Sequence, residues 1–98
     1  MKKYMTVTMD GGAIWGVPVE MIARDRATYY ADEFGGDVEE SLAEDTLPLF
    51  EIDEYEIHDW AVNNMNWSDF DGHQVKLRDA PEPDFQKAWN ENDKGFSD

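Results

Sequence analysis

The sequence predicts an α+β fold: a small antiparallel sheet of about three strands, opened by a β-hairpin and packed against about three helices. Three observations predict it. Residues 3–9 (KYMTVTM) alternate and are rich in Tyr, Val and Thr, the pattern of a half-buried strand. Apolar residues then recur at three- and four-residue steps from Val19 onward, the spacing of one helix face. Two Asp-x-x-Glu patterns, Asp37 with Glu40 and Asp53 with Glu56, each resemble a capping box and mark helix starts.

The elements follow in order. Asp10-Gly11-Gly12 is a tight-turn signal, so residues 13–17 (AIWGV) read as the return strand of a hairpin. Pro18 suits the first turn of a helix, where its missing N–H costs nothing. That helix buries Val19, Ile22, Ala23, Ala27, Tyr30, Ala31 and Phe34, with Arg26 inside or beside the stripe, and Gly35-Gly36 ends it. A short helix capped by Asp37 turns Val38 and Leu42 inward, with Ala43 a further candidate. Pro48 bounds this helix, since the residue before a proline avoids helical angles. Residues 49–52 fit neither helix nor strand uniquely. The helix capped by Asp53 buries Ile57, Trp60, Ala61 and Met65 and ends near Asn63 to Asn66. Asp71-Gly72 is another turn, and residues 73–78 (HQVKLR) read as a third strand. Residues 1–80 form one compact domain. Residues 81–98 form a tail, either a short helix docked through Phe85, Ala88 and Trp89 or disordered chain, with its polar end frayed.

The chain has 98 residues, enough for one modest core, and 41% are hydrophobic, too many for a disordered chain. It has no cysteine, which excludes disulfides and thiolate metal sites. No apolar run follows Lys2 and Lys3, and none approaches the length of a membrane span. The expectation is a soluble cytoplasmic protein. The net charge of −15 disfavours direct binding to nucleic acid or to an anionic membrane.

That charge is unevenly placed. From Ala27 to Val75 there are fourteen Asp or Glu and no Lys or Arg. The flanks are nearly balanced. Glu40 and Glu44 are a like-charge pair one helical turn apart, and no base at that spacing relieves any neighbour. Asp37 and Asp53 are partly explained as caps. Three readings of the remainder compete: a solvated acidic face, a polyanion mimic whose carboxylates stand in for phosphates, and a docking surface for a basic partner unrelated to nucleic acid. The predicted partner-binding acids are Asp37, Glu39, Glu40, Glu44, Asp45, Glu51, Glu54, Glu56 and Asp59. Tyr55 and Trp67 lie off the inward stripes and are the candidate aromatic contacts. One helix would space these charges too widely to imitate a nucleic acid, at about 5 Å apiece. The mimic reading therefore needs residues 37–45 and 53–59 on one surface, with Arg24, Arg26, Lys76 and Arg78 off it.

Catalytic constellations are not assembled. Asp69-Phe70-Asp71-Gly72 resembles part of a calcium loop, but aligning Gly72 puts Trp67 and Arg78 at ligand positions. Glu54 and His58 share a helix face, yet a metal site needs more ligands. His73 has no partner set, and Gly11-Gly12 opens no phosphate loop. No enzyme, cofactor or metal is expected.

In size, lack of cysteine and its acidic block, the chain resembles the small acidic proteins that bacteriophages and other mobile elements encode against host defence, the DNA-mimic anti-CRISPR and antirestriction proteins. Glu39, Glu40, Glu44, Asp45, Glu54 and Glu56 would be the phosphate stand-ins, and Glu56 to Trp60 (EIHDW) is similar to an acidic-aromatic patch of antirestriction proteins. The resemblance implies a cytoplasmic inhibitor that fills a basic nucleic-acid groove without catalysis. The alternative is a small phage-type structural or interaction protein that binds through apolar patches.

Overall fold

A computed structural model describes residues 1–9, 11–78 and 85–98. It is α+β, with one four-stranded antiparallel sheet. The strands are β1 (Tyr4–Thr8), β2 (Ile14–Pro18), β3 (Val75–Arg78) and β4 (Lys94–Ser97), in the order β3-β2-β1-β4. The hairpin pairs Met5 with Val17 and Val7 with Trp15, and β1 also pairs Met5 with Phe96. Paired residues share a face, so alternation sends Met5, Val7 and Val17 into the core and leaves Tyr4, Thr6 and Thr8 on the more open side. Gly16 lets β2 pass close to its neighbours: a Cβ there would sit 3.1 Å from the Tyr4 Cβ and 3.2 Å from a Leu77 methyl, tight enough to displace them by a few tenths of an ångström.

The helices are α1 (Val19–Tyr29), α2 (Val38–Ser41), α3 (Leu47–Ile52), α4 (Glu54–Asn64) and α5 (Phe85–Glu91). The predicted stripe of α1 is buried at Val19, Ile22, Ala23 and Ala27. A 3-10 turn, Ala31–Phe34, continues α1 until Gly35 and Gly36 take positive φ angles of 67° and 85°. Both predicted acidic caps are formed. The Asp37 carboxylate accepts the Glu40 N–H, and the Asp53 carboxylate accepts the Tyr55 N–H. One mixed core joins the sheet residues to Phe50, Ile57, Ala61, Phe70, Ala88 and Trp89.

Two expectations are corrected here. Pro48 does not end the second helix. A π turn, Leu42–Thr46, links α2 directly to α3, so the chain is helical from Val38 through Ile52. In a regular α-helix Pro48 would leave the Glu44 carbonyl unbonded and push its ring against it. The widened turn, in which the Leu47 N–H reaches back to the Leu42 carbonyl, carries the chain past the proline. Ala43 is exposed on this rod rather than inward.

The other correction concerns the C-terminus. Phe85, Ala88 and Trp89 do lie on a helix, α5, and the Trp89 indole N–H donates to the Met65 carbonyl at 3.1 Å. The polar end beyond it does not fray but forms β4, which adds a fourth strand beside β1. Thr8 N–H donates to the Asp93 carbonyl and the Asn92 amide donates to the Thr8 carbonyl, fixing the register where β4 begins. The last predicted strand is shorter than expected, starting at Val75 rather than His73. Asp10 of the predicted turn and residues 79–84 lie outside the described residues.

Candidate functional site

The acidic block folds into the α2–π turn–α3 rod and into α4. Helix α1 is the common neighbour of both: it packs on α2, on the π turn and on α4, while α3 meets α4 at a corner. The rod buries Ser41, Leu42, Thr46 and Phe50. Helical geometry then turns Glu40, Glu44 and Glu51 to solvent, and Glu54 and Asp59 face out from α4. The Glu40, Glu44, Glu51 and Glu54 carboxylates form no ion pair with a described residue. Asp59 accepts from the Asn63 amide at 2.9 Å, Glu56 is half-buried, and Asp37 is occupied by its cap.

Arg24 and Arg26 do not stay off this surface, contrary to expectation. Arg24 donates to Glu39 at 2.7 Å and to Glu20 at 3.4 Å. The hydrogen bond that Arg24 donates to Glu39, and then the one it donates to Glu20, hold its guanidinium above its ordinary pKa. Arg26 donates to the Asp45 carboxylate and to the Thr46 hydroxyl, both at 2.9 Å. Its guanidinium lies 4.7 Å from the Tyr30 ring centre and 6.0 Å from that of Trp60, and only 14% of the side chain is exposed. Asp45 and Thr46, consecutive residues at the end of the π turn, thus meet the same cation. Glu39 and Asp45 are therefore paired within the chain. The physical reason is tertiary: bases fifteen to twenty residues upstream return when α1 packs against the rod. Lys76 and Arg78 lie on β3.

The longest exposed run among the described residues is the α3–α4 corner, where Glu51, Ile52, Asp53, Glu54 and Tyr55 are all solvent-exposed in succession. Ile52 is 85% exposed and Tyr55 64%. The Tyr55 ring stacks on His58 at 5.6 Å. Burial lowers the His58 pKa, nearby Lys94 lowers it further, and Asp59 opposes them. Trp67 is the corrected aromatic. It is half-buried, stacked on Phe85 at 5.3 Å and edge-on to Trp15 and Trp89, because the 3-10 turn Trp67–Phe70 lies against α5. Sequence reasoning missed Ile52. Its signal was available once helix continues past Pro48, since Phe50 is inward and a residue two positions on lies about 200° around the axis.

Among the described residues, no group of three or more His, Cys, Asp or Glu is placed to hold a metal ion, and no helix is long and apolar enough to cross a membrane. In comparison with known proteins, no family model matches the chain, and no curated protein or solved structure matches it.

Proposed function

We propose that the chain is a non-enzymatic binding protein that presents an acidic surface to a basic partner, and that this partner is a nucleic-acid-binding protein whose groove the carboxylates occupy in place of phosphates. The observation that carries this reading is the set of unpaired, solvent-exposed carboxylates Glu40, Glu44, Glu51 and Glu54. Their mutual repulsion is uncompensated in the folded chain, so a positively charged surface would relieve it. Asp37 and Asp59 are exposed as well and Glu56 is half-buried, while Glu39 and Asp45 serve the fold through Arg24 and Arg26.

The test is a pull-down from host lysate at low salt, eluted by a salt gradient. The expected result is one nucleic-acid-binding protein that DNA displaces. The Glu40→Lys, Glu44→Lys double variant should slow its association about tenfold at low salt. Binding indifferent to both salt and DNA would overturn the proposal.

The exposure of Ile52 and Tyr55 supports a second reading, in which an apolar contact at the corner supplies most of the affinity. Under it, Ile52→Ala or Tyr55→Ala weakens binding more than the charge reversal does, and the complex survives high salt.

A further inference from the structure

A groove runs over α1 and the C-terminal half of α4, lined by Asp25, Thr28, Tyr29, Trp60 and Asn64. None of these residues belongs to the acidic outward set above. Two aromatic rings form one corner of the groove: Tyr29 and Trp60 have centroids 5.5 Å apart and planes inclined at 64°. Tyr29 is 69% exposed. The Trp60 indole N–H donates to Asp25 Oδ2 at 2.9 Å, which fixes the carboxylate beside the rings. The other Asp25 oxygen has no partner among the described residues. The Asn64 amide donates to the Trp60 carbonyl, leaving its own oxygen as an acceptor. No basic side chain is among the described residues that line the groove.

The groove thus offers π faces, a carboxylate oxygen and an amide oxygen, and the Asp25 carboxylate is the one charged group among its described lining residues. That inventory fits a cation that is also a multiple donor. The protein uses the same chemistry just inside, where Arg26 lies over the Tyr30 and Trp60 rings and donates to Asp45. A planar guanidinium can stack on a ring while its edge donates to two acceptors, whereas an ammonium is a compact, strongly hydrated point charge. The surrounding net charge of −15 raises the local concentration of any cationic group.

We propose that the Asp25–Tyr29–Trp60–Asn64 groove is a recognition site for an arginine side chain of a partner protein. The site is independent of the acidic outward surface, so its failure would leave the preceding proposal untouched.

The experiment is a titration of the ¹⁵N-labelled protein with acetyl-arginine amide, followed at the Trp60 indole and Asn64 side-chain resonances. Acetyl-citrulline amide and acetyl-lysine amide are the controls. The expected result is a saturable shift of both resonances with arginine, at least tenfold weaker with citrulline and weaker with lysine. Asp25→Asn keeps an acceptor for the Trp60 indole, so the fold is retained, yet arginine binding should fall about tenfold. Tyr29→Ala, at an exposed ring, should weaken it as well. The Glu40→Lys, Glu44→Lys variant should bind arginine as the native protein does. Equal shifts with citrulline, equal binding of lysine, or an unchanged Asp25→Asn variant would each overturn the assignment.

Discussion

The sheet layer and the acidic helical layer hold their charge in opposite ways. Strands β3 and β4 with α5 and the N-terminal residues carry Lys2, Lys3, Lys76, Arg78, Lys87 and Lys94, so most of the chain's bases lie there. That layer is closed by apolar burial and by ring packing among Trp15, Trp67, Phe85 and Trp89. The helical layer from α1 to α4 has two bases, Arg24 and Arg26, and both are committed to its own acids. The comparison teaches that the acidic layer folds because two arginines of α1 are committed to Glu39 and Asp45 where it packs on the rod, and because most of the remaining acids face water. Its stability should respond to salt and single charges; the sheet layer should respond to cavities.

The comparison breaks most sharply at Trp89, which is fully buried and ties α5 to the Met65 carbonyl. Trp89→Ala should cost about 3–5 kcal/mol in urea unfolding, by a similar amount at low and high salt. A cost under about 1 kcal/mol would mean the C-terminal elements do not close the sheet layer. The corresponding test of the helical layer is Arg26→Met, which leaves Asp45 and Thr46 without their donor. It should cost about 2 kcal/mol. Arg26→Lys should recover little, because an ammonium cannot both bridge two oxygens and cover the Tyr30 ring. Removing one cap, Asp53→Ala, should cost about 1 kcal/mol and loosen the α3–α4 corner, read by faster amide exchange at Tyr55.

His58 links the two layers, since it lies on α4 and feels Lys94 of β4. Its folded pKa lies below the ordinary 6.5, chiefly through burial. The folded state therefore resists the proton that the unfolded chain accepts, and stability should decline as the pH falls below 6.5. Urea midpoints between pH 7.5 and pH 5.5 would show the decline, and His58→Gln should flatten it. A midpoint rising across that interval in the native protein would contradict the assignment. The smallest effect is on the outer surface. Glu44→Gln should stabilise by about 0.3 kcal/mol at low salt and by nothing measurable at 0.5 M salt, because it relieves an exposed like-charge neighbour of Glu40.

Much of the fold was legible because it is written in local periods. The alternation of residues 3–9 and the Gly-rich turn specified the hairpin, and the stripe from Val19 to Ala27 specified α1. Asp37 and Asp53 announced their helices, since a cap needs only a side chain and a backbone N–H two or three residues on. The acid-rich block itself could be located from composition, and the outward turn of Glu40, Glu44, Glu54 and Tyr55 from helix phase, whereas Glu51 lay in a stretch with no assigned period.

Only the tertiary structure decided the rest, and the reason is sequence distance. Strand β4 exists because residues 94–97 meet β1, and the Asn92–Thr8 bond spans 84 positions that no local pattern encodes. Trp67 is half-buried because α5 supplies Phe85 to its face, and no helical or strand period of residues 67–70 foretells that. Pro48 stays within a helical rod because the chain can widen one turn when the interior on both sides is worth keeping. Glu39 and Asp45 are neutralised because α1 brings Arg24 and Arg26 back across the rod. The Asp25–Tyr29–Trp60–Asn64 groove likewise forms only when two helices about thirty-five residues apart in the chain pack together. The sequence determined where charge and apolar faces occur along each element; the packing of those elements determined which charges remain free.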